Sequence, residues 1–130
     1  MKLDSHVRSR LRKELAIWLA TGGRDGRPHV VPVWFWWDGD SLLVYSLPGQ
    51  KVRDIESNSK VQLHLNTDPE GEDVIRLDGT AQIVPDERPA FRVAPYVRKY
   101  RELMKGYGWT PKVFSDLYRI PIRIQPTRFF

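Results

Sequence analysis

The chain has 130 residues, a length typical of one folded domain with a hydrophobic core of its own. It contains no cysteine, which excludes disulfides, thiolate zinc sites and cysteine nucleophiles. Its 21 Lys and Arg against 16 Asp and Glu give a net charge of +5, which permits an anionic partner without selecting a small molecule or a nucleic acid.

Three scattered histidines, with no pair four positions apart, argue against a histidine metal site, and we expect no metal. No apolar run approaches the ~20 residues needed to span a bilayer. The first residues are polar and lack the apolar segment of a signal peptide. We therefore expect a cytoplasmic protein.

The chain begins with a predicted helix over residues 4–15, in which apolar side chains recur every four positions and form a single stripe. Asp4 or Ser5 can cap this helix. A short apolar strand over 16–21 follows, and the glycine-rich residues 22–26 turn the chain back.

Residues 27–37 are predicted as one strand whose two faces are both apolar. Pro32 cannot donate a ladder hydrogen bond, which predicts a sheet edge or a bulge at that position. Both apolar faces of this strand must be buried away from water. A closed barrel with a second subunit packed on its outside would bury them.

The Asp38-Gly39 turn leads into a strand over residues 41–46. A Pro/Gly loop then opens into a short helix that runs from about Val52 to Asn58.

The loop over residues 46–53 is the candidate anion site. Ser46 offers a hydroxyl, and Lys51 and Arg53 place positive charge beside the free N–H groups of a helix N-terminus. Arg53 can grip a phosphate in bidentate fashion, which a lysine cannot. The alternative is that both cations are ordinary solvated side chains.

The same signals predict the remaining elements, which are a strand over 60–65, a strand over 73–84, helices over 86–94, 95–105 and 110–118, and a strand over 119–125. Gly79 breaks or bulges the long strand, and Pro95 separates two helices. Six short strands joined mainly as hairpins predict a mainly β fold. We expect a six-stranded antiparallel barrel with added helices, in a single domain over residues 1–130.

No hydrolytic triad, P-loop or dinucleotide fingerprint is visible. Four aromatic residues are candidates for the walls of an apolar pocket, namely Trp34, Trp36, Tyr45 and Trp109. Core or interface packing is the alternative for each.

Several segments occur in an order typical of one known family. They are Ala20-Thr21, the run from Gly26 to Phe35, Tyr45-Ser46, Gly49-Gln50-Lys51, Gly79-Thr80-Ala81 and the closing run from Pro121 to Arg128. Over residues 15–128 the chain resembles the pyridoxamine 5′-phosphate oxidase-like split β-barrel superfamily. The likeness is closest to its flavin/deazaflavin oxidoreductase branch, whose members often use coenzyme F420.

The resemblance implies the FMN-binding split-barrel fold, built as a homodimer with a cofactor in each of two clefts at the subunit interface. It implies that four residues face the cofactor phosphate, namely Ser46, Gln50, Lys51 and Arg53. It also implies that four residues lie against the ring system, namely Thr21, Pro32, Val33 and Trp34. The family's oxidases carry an arginine where this chain has Gln50, a departure that favours F420 over FMN.

These features predict an F420H2-dependent reductase that transfers a hydride between the deazaflavin and a small unsaturated or aromatic substrate. The cofactor would carry the chemistry, and we expect no essential acid–base residue. FMN is the alternative cofactor, and a non-enzymatic protein of the same fold that binds a flavin, F420 or haem is the alternative function. A single-stranded nucleic-acid barrel is a third reading. It is disfavoured because the cations are spread through helices, and we expect neither nucleic acid nor membrane as a partner.

Overall fold

The computed structural model describes residues 2–130. Its elements, in chain order, are α1 (Ser5–Lys13), β1 (Ile17–Gly22), β2 (Pro28–Val33), β3 (Trp36–Trp37), β4 (Leu42–Ser46), α2 (Gln50–Ser57), β5 (Lys60–His64), β6 (Arg76–Ile83), α3 (Ala94–Gly106), α4 (Pro111–Leu117) and β7 (Ile120–Phe129). No helix among these residues has the length and apolarity required to cross a bilayer.

The strands within residues 2–130 form one antiparallel sheet in the order β2-β1-β5-β6-β7-β4-β3. The two edge strands, β2 and β3, are consecutive in the chain and are separated only by Trp34 and Phe35. Because so short a link spans at most about 10 Å, the two edges of the sheet must lie beside each other. The sheet is therefore curled, which confirms the mainly β, antiparallel split-barrel fold.

The described part of the chain has seven strands rather than six, because residues 27–37 do not form one strand. The break falls at Phe35, whose backbone is bonded by side chains of α3 instead of a neighbouring strand. The Phe35 N–H donates to the Tyr100 hydroxyl at 2.7 Å, and the Phe35 carbonyl accepts from Lys99 Nζ at 2.8 Å. The predicted edge at Pro32 is confirmed, since β2 is an edge strand.

Strand β4 is buried on both faces and separates two cores. Leu42 and Val44 belong to the core inside the barrel, which also contains Phe35. Leu43 and Tyr45 belong to a second, aromatic-rich core that includes residues of α3 and α4. The α3–α4 segment therefore covers the outer side of β4.

Two other predictions are corrected by the structure. The helix over 86–94 is wrong: only a 3₁₀ turn, Ala90–Arg92, forms there, because Pro89 disfavours helical backbone before it and Val93 is extended. The last strand continues to Phe129 instead of ending at residue 125. The predicted bulge at Gly79 is confirmed, and it lies opposite Pro126, which has no N–H for the ladder.

Candidate functional site

A cavity of about 300 Å³ lies beside β2, β4, the first turn of α2 and the α3–α4 segment. Its walls are mainly aromatic and apolar, and they comprise Pro32, Val33, Trp34, Tyr45, Lys51, Tyr107, Trp109, Phe114 and Tyr118. Lys51 is the one charged side chain among these nine. We call this space the aromatic cavity.

The aromatic walls are held in place by their own stacking. The Trp34 ring is nearly parallel to Tyr100, with ring centroids 4.5 Å apart, and stacks on Phe114 at 5.4 Å. Phe114 stacks in turn on Tyr118 at 4.8 Å. Offset stacking of this kind stabilises each ring pair by roughly 0.5–1.5 kcal/mol, so the cavity is largely preformed.

Of the four aromatics proposed as pocket walls, Trp34, Tyr45 and Trp109 line the aromatic cavity. Trp36 packs against the same core without lining it. The Tyr45 hydroxyl donates to the carbonyl of Arg88 at 2.5 Å, and burial raises the pKa of Tyr45, which keeps the phenol protonated. Tyr45 therefore lines the aromatic cavity as an uncharged side chain.

Lys51 brings a positive charge into the aromatic cavity. Its Nζ donates to Ser46 Oγ at 3.0 Å, and that hydroxyl donates to the carbonyl of Leu47 at 2.6 Å. Burial lowers the pKa of Lys51, and no ion pair to this lysine occurs among residues 2–130. A half-buried ammonium group with two N–H bonds left over is suited to an acceptor oxygen supplied by a ligand.

A second cavity, of about 400 Å³, lies against the other side of α2. It is polar, and its lining comprises Arg24, Gln50, Arg53, Asp54, Glu56 and Ser57. We call it the α2 cavity. Residues two apart on a helix do not share a face, which explains why Lys51 and Arg53 line different cavities.

The eight residues predicted to bind a cofactor thus fall into two groups. Pro32, Val33, Trp34 and Lys51 line the aromatic cavity, with Ser46 buried behind Lys51. Gln50 and Arg53 line the α2 cavity. Thr21 is buried and is bonded to Asp54, a lining residue of the α2 cavity, but Thr21 itself borders a third cavity of about 520 Å³ beside β1, β5 and β6. The phosphate-side residues are therefore near each other in the chain but do not face a single cavity.

Asp54 connects the members of the second group. Its carboxylate is 1% exposed and accepts from Thr21 Oγ1 at 2.8 Å and Gln50 Nε2 at 2.7 Å, and it pairs with His29 Nδ1 at 2.7 Å. Burial alone would raise the pKa of Asp54. The hydrogen bonds from Gln50, Thr21 and His29 outweigh it and hold that pKa below its usual value.

The start of α2 is open to solvent. Gly49 precedes the helix, and no side chain within residues 2–130 caps its first N–H groups. A Cβ atom built on Gly49 would meet no atom within 4 Å. The free amides, with Lys51 on one side of α2 and Arg53 on the other, offer hydrogen-bond donors and positive charge to an anionic group.

Sequence reasoning did not identify Asp54, His29, Tyr107, Phe114 or Tyr118 as part of a site. Asp54 lies four residues after Gln50, a spacing that brings two side chains together on a helix. The three aromatics follow one another closely after α3, yet each was equally consistent with core packing.

Comparison with known proteins places the whole chain in one group. A family model described as pyridoxamine 5′-phosphate oxidase matches residues 3–128. A solved structure of an F420 reductase is 26% identical, covers 98% of each chain and superposes with a TM-score of 0.72. The haem storage protein HutZ of Vibrio cholerae is 21% identical over 100% of this chain and 94% of its own, with a TM-score of 0.68, and shares the fold.

One curated relative, an uncharacterised protein of Rhizobium meliloti (strain 1021), is 40% identical over 42 residues. That match covers 32% of this chain and only 28% of the relative, so it identifies a shared segment and not a shared whole protein.

Proposed function

Because this chain belongs to the pyridoxamine 5′-phosphate oxidase family, we propose that it is a cofactor-dependent oxidoreductase, specifically an F420H2-dependent reductase. Known members of its structural group include an F420 reductase, and the likeness to that protein extends over nearly all of both chains. The observation that carries the proposal is the aromatic cavity with Lys51 as its single charge, beside the open start of α2.

The residues present fit a ring system linked to a phosphate. Pro32, Val33 and Trp34 belong to the lining of a cavity of about 300 Å³, and none of its nine lining residues is a carboxylate. The Lys51 ammonium, supported by Ser46, and the free amides at the start of α2 would hold the phosphate, and Arg53 would contact it from the α2 cavity, on the other side of the helix. When bound, the deazaflavin supplies the hydride.

The protein's own contribution is to bind, orient and shield. The stacked walls made by Trp34, Phe114 and Tyr118 fix the width of the cavity and exclude water from one side of a bound ring. Tyr45 stays protonated and bonded to the backbone, so it is not poised to exchange a proton. The substrate we propose is a small unsaturated or aromatic compound that can lie flat on the reduced ring.

We also propose that a second copy of the chain completes each cleft. The edge strand β2 exposes apolar side chains, with Val30 at 51% and Val31 at 38% of their surface accessible, and Leu47 beside α2 is 43% exposed. Burying such side chains against a partner is favourable by about 25 cal/mol per Å² of apolar surface. Sedimentation equilibrium should give twice the 15.2 kDa mass of one chain.

A turnover assay separates the enzyme from a binding protein. Reduced F420 is mixed with the purified protein and with a quinone, an enone or a nicotinamide compound, and reoxidation of the cofactor is followed by absorbance. We expect reoxidation that depends on the protein for at least one class. Tight binding with no reoxidation for any of them would overturn the enzymatic proposal and leave a cofactor carrier, and the same experiment with reduced FMN tests the alternative cofactor.

Haem binding is the second candidate, on the ground that this chain shares its fold with a haem storage protein. The aromatic cavity contains tyrosines and a lysine but no histidine or methionine among its lining residues. Haem iron in proteins is held most often by histidine, methionine, cysteine or tyrosine, so a tyrosine would have to serve there. We therefore rank this candidate below the deazaflavin.

A further inference from the structure

The buried carboxylate of Asp54 has no part in the site as predicted from the sequence, yet it lines the α2 cavity and is bonded to Gln50, Thr21 and His29. We propose that Asp54 is a positioning residue, which acts through Gln50 to hold the Arg53 guanidinium at the α2 cavity for an anionic ligand. The inference rests on the proposed function only in taking a cofactor phosphate as that anion.

The Asp54 carboxylate is held in a fixed position. Asp54 Oδ2 is held by Thr21 Oγ1 at 2.8 Å and by His29 Nδ1 at 2.7 Å, from two strands of the barrel. Its other oxygen, Oδ1, is left to face Gln50. A buried carboxylate with this many partners has one orientation, because losing any partner would leave a desolvated charge.

The Asp54 carboxylate in turn orients the Gln50 amide. Asp54 Oδ1 accepts from Gln50 Nε2 at 2.7 Å, and the reverse orientation would set a carbonyl oxygen against a carboxylate. The amide therefore directs its oxygen, Oε1, away from Asp54. Gln50 Oε1 accepts from Arg53 Nη2 at 3.1 Å.

Arg53 carries a positive charge that is left without an acidic partner in the described part of the chain. Its partner is a neutral amide, and no ion pair to Arg53 occurs among residues 2–130. One of five N–H donors is used, so the guanidinium keeps its full charge and enough donors for bidentate contact with a phosphate. Gln50 thus acts as a tether for Arg53 and not as a ligand of the anion.

The experiment compares variants along this chain of contacts. Gln50→Met removes the tether at an exposed position, Asp54→Leu removes its support, and Asp54→Asn keeps an oxygen for Gln50 while removing the charge. Gln62 Nε2 donates to Asp78 Oδ1 at 3.0 Å on the sheet, so Gln62→Met and Asp78→Asn are matched controls away from α2. Each full-length protein is titrated with inorganic pyrophosphate, and ¹⁵N relaxation of the Arg53 side chain is measured without ligand.

We expect Gln50→Met to weaken pyrophosphate binding about two- to tenfold, the effect of losing one hydrogen bond that preorganises a donor. Arg53 should become more mobile in the same variant. Asp54→Leu should weaken pyrophosphate binding as much as Gln50→Met does. The double variant Gln50→Met with Asp54→Leu should bind pyrophosphate no more weakly than either single variant, because both substitutions act through one chain of contacts. Asp54→Asn should bind pyrophosphate within about twofold of the parent. If Asp54→Leu does not fold, Asp54→Ser, whose hydroxyl is too short to reach Gln50 Nε2, takes its place and should weaken binding as Gln50→Met does.

Unchanged Arg53 mobility and unchanged pyrophosphate affinity in Gln50→Met would overturn the inference, and so would a parent protein that does not bind pyrophosphate at all. A merely structural role for Asp54 predicts a lower melting temperature with no change in either readout. Because neither readout uses F420 or FMN, the inference can stand when both cofactors fail to bind. In that case the proposed function falls and the anion site remains.

Discussion

Replacing Lys51 by methionine should weaken ligand binding while lowering the free energy of unfolding by no more than about 1 kcal/mol. In the free protein the ammonium group is half-buried, burial lowers its pKa, and its hydrogen bond is to a neutral hydroxyl, Ser46 Oγ, at 3.0 Å. Methionine of similar length removes the cost of burying that charge. Ser46 keeps its own bond to the carbonyl of Leu47, so no buried polar group is left without a partner.

The two magnitudes follow from these contacts. Loss of the Lys51–Ser46 hydrogen bond costs ~0.5–1.5 kcal/mol, which relief of the desolvated charge offsets. We expect the free energy of unfolding to stay within about 1 kcal/mol of the parent value or to rise. A charge-assisted hydrogen bond to a phosphate or ring oxygen contributes ~1.5–3 kcal/mol, so cofactor affinity should fall about 10- to 160-fold.

The assay pairs urea denaturation of the free protein with equilibrium titration by F420 and FMN. Lys13→Met is the matched control, because Lys13 is an exposed lysine on α1, and it should change neither quantity. Combining Lys51→Met with Arg53→Met should weaken binding further, though by less than the sum of the two single effects if both groups contact one phosphate. Unchanged affinity in Lys51→Met, or a loss of stability as large as the loss of binding energy, would refute the role assigned to Lys51.

Two further predictions concern the fold. Gly79→Ala should destabilise the protein by ~1–3 kcal/mol, because the added Cβ would lie 2.9 Å from the backbone oxygen of Gln125. Gly106→Ala is the control: its Cβ would meet no atom within 4 Å, so this variant should be as stable as the parent or more stable. Urea denaturation of both variants checks this pair, and equal effects would contradict it. Burial lowers the pKa of Lys99 from 10.5 to about 8, so the unfolded state binds more protons than the folded state between those values, and the free energy of unfolding should rise with pH across this window. Lys99→Met should remove that contribution. If the free energy of unfolding depends on pH identically in the parent and in Lys99→Met, folding does not change the pKa of Lys99 and the prediction is wrong.

The barrel was predictable because its signals are local. Alternating apolar residues gave the strands, and Gly39 has a φ of +99°, which a turn into β4 requires and which glycine tolerates. The cap at Asp4 also behaves as expected, since its carboxylate accepts from the N–H three residues later, and Thr110 caps α4 in the same way. None of these features depends on a distant part of the chain.

The features that were missed all depend on distant partners. The strand break at Phe35 exists because Tyr100, 65 residues later, supplies the hydrogen bond that a neighbouring strand would otherwise provide. The extension of β7 depends on pairing between Leu77 and Phe129 beyond the bulge at Gly79. Periodicity within one segment carries no information about such contacts.

The candidate site was predicted in the same partial way. The loop and helix that carry Lys51 and Arg53 were recognised. That these two side chains line different cavities was not predicted, because it follows from their angular spacing on α2, which begins at Gln50, two residues earlier than predicted. Asp54 resembled an ordinary charged helix residue. Its burial depends on Thr21 and His29, which belong to strands far away in sequence.

The most direct test of the central claim is an equilibrium titration of the full chain with F420, oxidised and reduced, alongside FMN and haemin. We predict saturable binding of F420 with one cofactor per chain, weaker binding of FMN, and loss of F420 affinity in Lys51→Met with no loss in Lys13→Met. Binding of haemin alone, or no binding of F420 or FMN, would contradict the assignment of the aromatic cavity and the start of α2 as a cofactor site.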